Sequence, residues 1–336
     1  EWEETFLKNH EENTASFSEK LPEIARLYQE SAVKVAHFNE VPAVINFFAL
    51  LGQICKDFVK IPNGRNIEDT RIHSCQIQTS GSGKSTLYNF TGPIAKNVFA
   101  RINKQGTHPI DRNVIDEDGN SKAKQFDTFS VQVATSAALI GTWKNIQVMD
   151  EDDEGNERPT GRWVEKFFSG ALQGHGFVHY DEFEYSGVFS PSQHQQDTVV
   201  LLNTMMNTLH GESWVMRKIL VDGNLIECFS ERSVLAMTYP PKELNSIMTE
   251  KGLLQRMLCF IWEVPEAVLD KMRKQQIIKA GIYEDVEGPI EDFTKAIMNI
   301  YNTLQAHYKE VLEDGGTAMD TMVYTDDFRE VLMLEY

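Results

Sequence analysis

The run Gln78-Thr79-Ser80-Gly81-Ser82-Gly83-Lys84-Ser85-Thr86 constrains this chain more than any other stretch. Two glycines one residue apart let a backbone curl until successive N–H groups point inward, ahead of a helix start. In that geometry Lys84 offers a mobile positive charge to the β- and γ-phosphates of a nucleotide, and Ser85 offers a hydroxyl to Mg2+. The full pattern asks for a further glycine where this chain has Gln78, so the match is to the G-x-G-K-S-T half. The bland alternative is a glycine turn leading into a helix with no ligand. That reading leaves Lys-Ser-Thr directly behind the glycines without a motive.

With 336 residues the chain can hold one large α/β domain plus a smaller helical part, or two domains. A hydrophobic content of 41%, with 10% aromatic residues, supplies a real core. The net charge of −18 makes the surface as a whole repel nucleic acid and anionic membranes, so any nucleic-acid site has to be a local basic feature. Cys55, Cys75, Cys228 and Cys259 form no C-x-x-C pair. This argues against zinc or a disulfide framework and for reduced thiols in a cytoplasmic setting. The start at Glu1, with no basic stretch leading into an apolar one, reads as a fragment of a longer protein. Val41 to Ile54, the most apolar stretch, is interrupted by Pro42, Asn46, Gly52 and Gln53 and falls short of the ~20 residues that span a bilayer. It predicts a buried helix and no membrane contact.

Residues 1–60 read as an N-terminal helical segment. One helix starts at Ser18 to Pro22 with Leu21, Ile24, Ala25 and Tyr28 as its apolar stripe, and a second runs over about 41–59 and packs on the main sheet. Arg71 to Gln78 is the strand that must feed the loop, although only Ile72, Cys75 and Ile77 are apolar in it. The loop helix runs from Ser85 to about Lys104, with Lys96, Arg101 and Lys104 outward. Two acidic tips, Asp116 to Asn120 and Asp150 to Glu157, read as solvated insertions; neither has the alternation or terminal Glu of a Ca2+-binding EF-hand loop.

Phe177-Val178-His179-Tyr180-Asp181-Glu182 is a β-prone run ending in two carboxylates, the pattern of a Walker B strand. It would place Asp181 beside Lys84 to hold Mg2+, and Glu182 where it can orient and deprotonate an attacking water. The competing reading is a solvated strand end. Residues 195–210 predict an amphipathic helix, and Asp222-Gly223 between two β-prone runs predicts a hairpin with Arg217 and Lys218 on its first arm, facing DNA, nucleotide or solvent. Ser233 to Thr238 predicts a buried strand whose tip, Thr238, is a candidate γ-phosphate sensor. Arg256 sits inside an apolar run and needs a partner, either a carboxylate in the same subunit or a nucleotide in a neighbouring one. Helices are expected over 290–310 and from an N-cap at Thr325.

Taken in order, these blocks carry a resemblance. Leu50-Leu51-Gly52 precedes the Ser80 to Ser85 loop; then come Asp181-Glu182, His210-Gly211-Glu212 with Arg217-Lys218, the Thr238 strand, and Gly252-Leu253-Leu254-Gln255-Arg256. Over about residues 40–265 the chain resembles the P-loop ATPase module of phage and plasmid primase-helicases, departing from it at Gln78 and in the polar strand before the loop. No primase signature appears. The resemblance implies an α/β, P-loop NTPase three-layer core of RecA/AAA+ type over 61–265, with helices over 1–60 and a C-terminal helical region over 266–336. It implies a ring-forming, hexameric ATPase on single-stranded DNA, working with other replication proteins in a cytoplasm, that of the host if phage-encoded.

On that basis Ser80, Gly81, Ser82, Gly83, Lys84, Ser85 and Thr86 bind ATP, Ser85 and Asp181 hold Mg2+, and Lys84, Glu182 and Thr238 serve catalysis. Arg256 is implied as an arginine finger across a subunit boundary, and the Asp222-Gly223 hairpin, with Arg217 and Lys218, as facing a central channel. A replicative helicase is the leading expectation. A DNA-packaging or defence ATPase, and a nucleotide-dependent assembly switch without strong turnover, are the alternatives.

Overall fold

The computed structural model describes residues 2–318 except 64–65, 107, 109, 116–120, 124, 132–135, 152–156, 184–195, 208–213, 220–224, 241–251 and 279–285. Three helices lead: α1 (Trp2–Glu19), α2 (Glu23–Val35) and α3 (Glu40–Cys55). A ribbon of β1 (Lys60–Asn63) and β2 (Asn66–Asp69) precedes β3 (Ser74–Gln78) and the long α4 (Lys84–Gln105). Next come β4 (Ile110–Ile115), β5 (Ser121–Ala123), β6 (Phe126–Val131), α5 (Ser136–Ile140), β7 (Gly141–Glu151), β8 (Glu157–Ser169) and β9 (Gly174–Tyr180). The remainder is α6 (Gln196–Met205), β10 (Trp214–Ile219), β11 (Leu225–Thr238), β12 (Leu258–Trp262), α7 (Glu266–Ile278) and α8 (Glu287–Glu313).

The chain is a mixed α/β protein built on five parallel strands in the order β6-β9-β11-β3-β12, with β10 antiparallel to the first half of β11. Side chains alternate across this sheet with the period of two that a strand imposes. Phe177 and Leu235 face a core shared by α2, α3, α4 and α8. Their neighbours Val178, Tyr180, Val234 and Ala236, with Cys75 and Ile77, face the core under α5 and α6. Helices therefore flank the sheet on both sides. Each fully buried side chain such as Phe47, Leu50 or Ile54 on α3 contributes about 1.5–3 kcal/mol to that packing.

The expected hairpin and the expected Thr238 strand share one element. β11 pairs with β10 through Trp214↔Ser230 to Ile219↔Leu225, then continues between β3 and β9 to Thr238. The Asp222-Gly223 turn, the His210 block, both acidic tips at 116–120 and 152–156, and the helix at Thr325 lie outside the described residues.

The polar character of β3 has a structural reason. Asn39, Asn46 and Gln53, each two turns apart along α3 and its N-cap, form a buried polar ladder against the sheet. Asn39 accepts from Gln78 Nε2 at 3.1 Å, Asn46 accepts from Gln76 Nε2 at 3.1 Å, and Gln53 accepts from Ser233 Oγ at 2.7 Å. Polar strand side chains thus meet polar helix side chains, which offsets part of the cost of burying them, while Gln76 Oε1 and Gln78 Oε1 stay without a partner among the described residues.

Below the ladder, Lys56 is fully buried and donates to Asp57 Oδ2 and Glu231 Oε2, each at 2.5 Å. His108 bridges Asp57 to Tyr301 of α8. No helix among the described residues is long and apolar enough to cross a membrane.

Candidate functional site

β3 ends at Gln78 and the chain turns through the glycines into α4. Gly81 and Gly83 sit at φ 78° and 84°, a left-handed backbone that a side chain would strain. Gly83 is the N-cap of α4, and its carbonyl accepts from Leu87 N–H to close the first turn. The following N–H groups are the unpaired donors of a helix N-terminus, so the turn presents a positive, N–H-lined concavity.

Asn39 holds this turn from behind. Its Nδ2 donates to Ser82 O at 2.8 Å while its Oδ1 receives Gln78 Nε2, and both side chains are fully buried. A Cβ at Gly83 would stand 3.3 Å from that same Nδ2. On the other side Thr79 Oγ1 accepts from Val264 N–H at 3.0 Å, just past β12. The position where the pattern wants glycine is therefore an anchor point, tying the loop to the N-terminal helices.

The loop side chains meet those of β9 and β11. Ser85 Oγ donates to Asp181 Oδ1 at 2.9 Å, so the expected hydroxyl and carboxylate are in contact. Lys84 Nζ donates to the carbonyls of Gln78 at 2.7 Å and Thr79 at 3.1 Å, and stands 4.7 Å from the centre of the Tyr239 ring. A cavity of about 200 Å3 is lined by Gly81 to Thr86 together with Asp181, Glu182 and Tyr239. A hydroxyl and a carboxylate oxygen in contact are a donor set for a hard, oxygen-seeking divalent ion, and the N–H-lined turn suits phosphate.

Thr238 is buried at the tip of β11, in register with Ile77; the residue that reaches the cavity is its neighbour Tyr239. Arg256 is not buried, as the apolar run had suggested: it is exposed in a short 3-10 turn, Leu254–Arg256, with Nε donating to Asn207 Oδ1 and Nη1 to Gly252 O. That turn precedes β12, whose Leu258 pairs with Ser74 at the start of β3, whereas the cavity lies beyond the end of β3. Arg256 is thus at the opposite end of the sheet from its own cavity, about 16 Å of strand away. Arg217 and Lys218 occupy register positions opposite Glu227 and Ile226 on the hairpin, in the half of β11 away from the Thr238 tip.

A second cavity of about 630 Å3 shares Ser85 and Asp181 with the first and extends along Tyr88, Phe129, Ser130 and His179. Tyr88 and His179 stack with centroids 3.3 Å apart and planes within 4°. Burial lowers the His179 imidazole to about 4, against a smaller opposing pull from Asp181, and burial pushes the Tyr88 phenol up to about 12. Both are neutral at physiological pH, so neither adds charge beside the Ser85–Asp181 pair.

Asn39, Tyr88 and Tyr239 are residues that the sequence reading missed. Tyr239 adjoins a predicted strand tip, which is a usable signal; Asn39 lies far from the loop in sequence and carries none. Comparison with protein-family models gives no match, and comparison with curated proteins gives none either.

Proposed function

We propose that this chain is an ATP-hydrolysing motor with a P-loop NTPase core, working as a ring on single-stranded DNA as a replicative helicase. The observation that carries the nucleotide half is the Ser85 Oγ to Asp181 Oδ1 contact at the mouth of a glycine turn that contains Lys84. The position supports it too, since ligands of parallel α/β sheets bind beyond the carboxyl ends of the strands. Here the ends of β3, β11 and β9 converge on one cavity.

In this reading the N–H groups from Gly81 to Lys84 receive the phosphates. Lys84 exchanges its bonds to the Gln78 and Thr79 carbonyls for bonds to phosphate oxygens. Ser85 and Asp181 hold Mg2+, which when bound neutralises charge on the phosphate oxygens. Glu182 takes the proton of the attacking water, and the β11 tip presents Tyr239 rather than Thr238 to the cavity. Arg256, exposed and far from its own cavity, is suited to act on a neighbour's nucleotide. DNA, the ring, its hexameric number and a cytoplasmic location rest on the resemblance to primase-helicases.

A second reading, an assembly switch without strong turnover, draws on the bonds that already engage Lys84 within its own loop. Steady-state phosphate release with and without an unlabelled single-stranded oligonucleotide separates the readings. The motor predicts turnover that rises severalfold with DNA. Turnover indifferent to DNA points to another ATPase class, and binding without turnover to the switch.

A further inference from the structure

The two-stranded ribbon of β7 and β8 stands apart from the main sheet, with most of its residues exposed. Register divides it into two faces. One carries Trp143·Phe167, Asn145·Glu165 and Gln147·Trp163; the other carries Thr142·Phe168, Lys144·Lys166 and Ile146·Val164. Phe167 packs against the core, so the first face turns its root toward the body. The second face presents Phe168 and Val164 at 40% and 41% exposure, with an exposed lysine pair between them.

Two lysines directly opposite each other destabilise a ribbon. In a chain of net charge −18, neither has a carboxylate partner among the described residues, and neither has exposed Arg162, which follows in the adjoining bulge. Glu165 lies on the opposite face. Lys144 Nζ instead sits 5.6 Å from the centre of the Phe168 ring. Three unneutralised cations beside exposed flat and branched apolar side chains match a ligand with regularly spaced anions and unpaired aromatic rings. The acidic residues Asp150 and Glu151 lie toward the tip, roughly 20 Å along the strand from Lys144 and so beyond the Debye length of about 8 Å at physiological salt for the lysine pair, with Arg162 in the bulge nearer to them.

We propose that this basic face, Lys144, Lys166, Arg162 and Phe168, is the surface that binds single-stranded nucleic acid, with phosphates on the cations and a base against Phe168. The inference rests on the motor reading for its partner, but it locates the contact away from the hairpin of Arg217 and Lys218.

The test is anisotropy of a fluorescein-labelled 20-mer of deoxythymidine titrated with the full chain, in Mg2+ buffer, over a salt series. Lys144→Glu with Lys166→Glu should weaken binding at least tenfold and lower the slope of log affinity against log salt by about 2. Phe168→Ala should weaken binding several-fold with the slope unchanged. Lys271→Glu with Lys274→Glu on α7 makes the same charge change elsewhere and should stay within twofold of wild type, with circular dichroism checking that each variant is folded. The proposal is overturned if the ribbon pair binds within twofold of wild type with the same slope, or if the α7 pair weakens binding equally. Failure of the wild-type chain to bind the oligonucleotide overturns it as well, and points to a protein as the partner of this face. None of these outcomes touches the ATP-hydrolysis reading, which phosphate release tests separately.

Discussion

Asn39 shows how a single buried amide can stand in for a sequence pattern. It links the Gln78 side chain to the Ser82 carbonyl, and so fixes the curvature of a loop whose own letters lack one glycine. Asn39→Ala leaves two buried polar groups unpaired, a cost of about 1–3 kcal/mol. We expect MgADP affinity by titration calorimetry to fall about tenfold. In the Gln78→Gly background the same substitution should cost less, with a coupling of about 1 kcal/mol between the two sites. Strict additivity would mean that the amide pair does not shape the loop. The loop, Asp181 and Glu182 were legible in the sequence because the residues that line this cavity lie close together in two short local runs. Asn39 was not, because its side chain reaches the loop only after α3 has packed on the sheet.

At the scale of elements, strands with one buried pattern were readable and those without were not. The C-terminal half of β11 is a run of buried residues and was expected as a strand. β7 and β8 expose both faces over much of their length, so no apolar alternation marks them, and the ribbon went unseen. β12 is a short continuous apolar run, which periodicity alone cannot divide between strand and helix. The seams between elements also carry charge-sensitive links. His73 accepts from Val234 N–H where β3 meets β11, and burial, reinforced by Arg71, lowers its imidazole to about 3. His179 is lowered to about 4. Both folded values lie below the unfolded value near 6.5, so the unfolded chain takes up protons that the folded chain refuses. Stability is therefore full above pH 6.5 and lost as pH falls below it, by on the order of 2 kcal/mol per histidine at pH 5. Urea midpoints at pH 7.5 and 5 should show the loss, and His179→Phe, which keeps a ring against Tyr88, should remove about half of it. An equal loss in that variant would contradict the assignment. Lys56→Met should destabilise by about 3–5 kcal/mol, because it removes the buried cation shared by Glu231 and Asp57 and leaves them to the His175 and His108 rings. A urea midpoint unchanged from wild type would show that the pair is not held as described.

At the scale of the whole molecule, the sheet has a cavity at one end and an exposed arginine at the other. If copies stack head to tail in a ring, Arg256→Ala should lower turnover by roughly 10³-fold while leaving nucleotide binding intact. Small fractions of that variant mixed into wild type should lower activity more than in proportion. Proportional loss would argue that each chain works alone. All of this presupposes that the Ser85–Asp181 cavity turns ATP over. The most direct test is phosphate release by wild type and Glu182→Gln, alongside binding of a fluorescent ATP analogue to both. Glu182→Gln is expected to bind the analogue within a few-fold of wild type and to release phosphate at least a hundredfold more slowly. Equal phosphate release by the two proteins, or no binding by either, would contradict it.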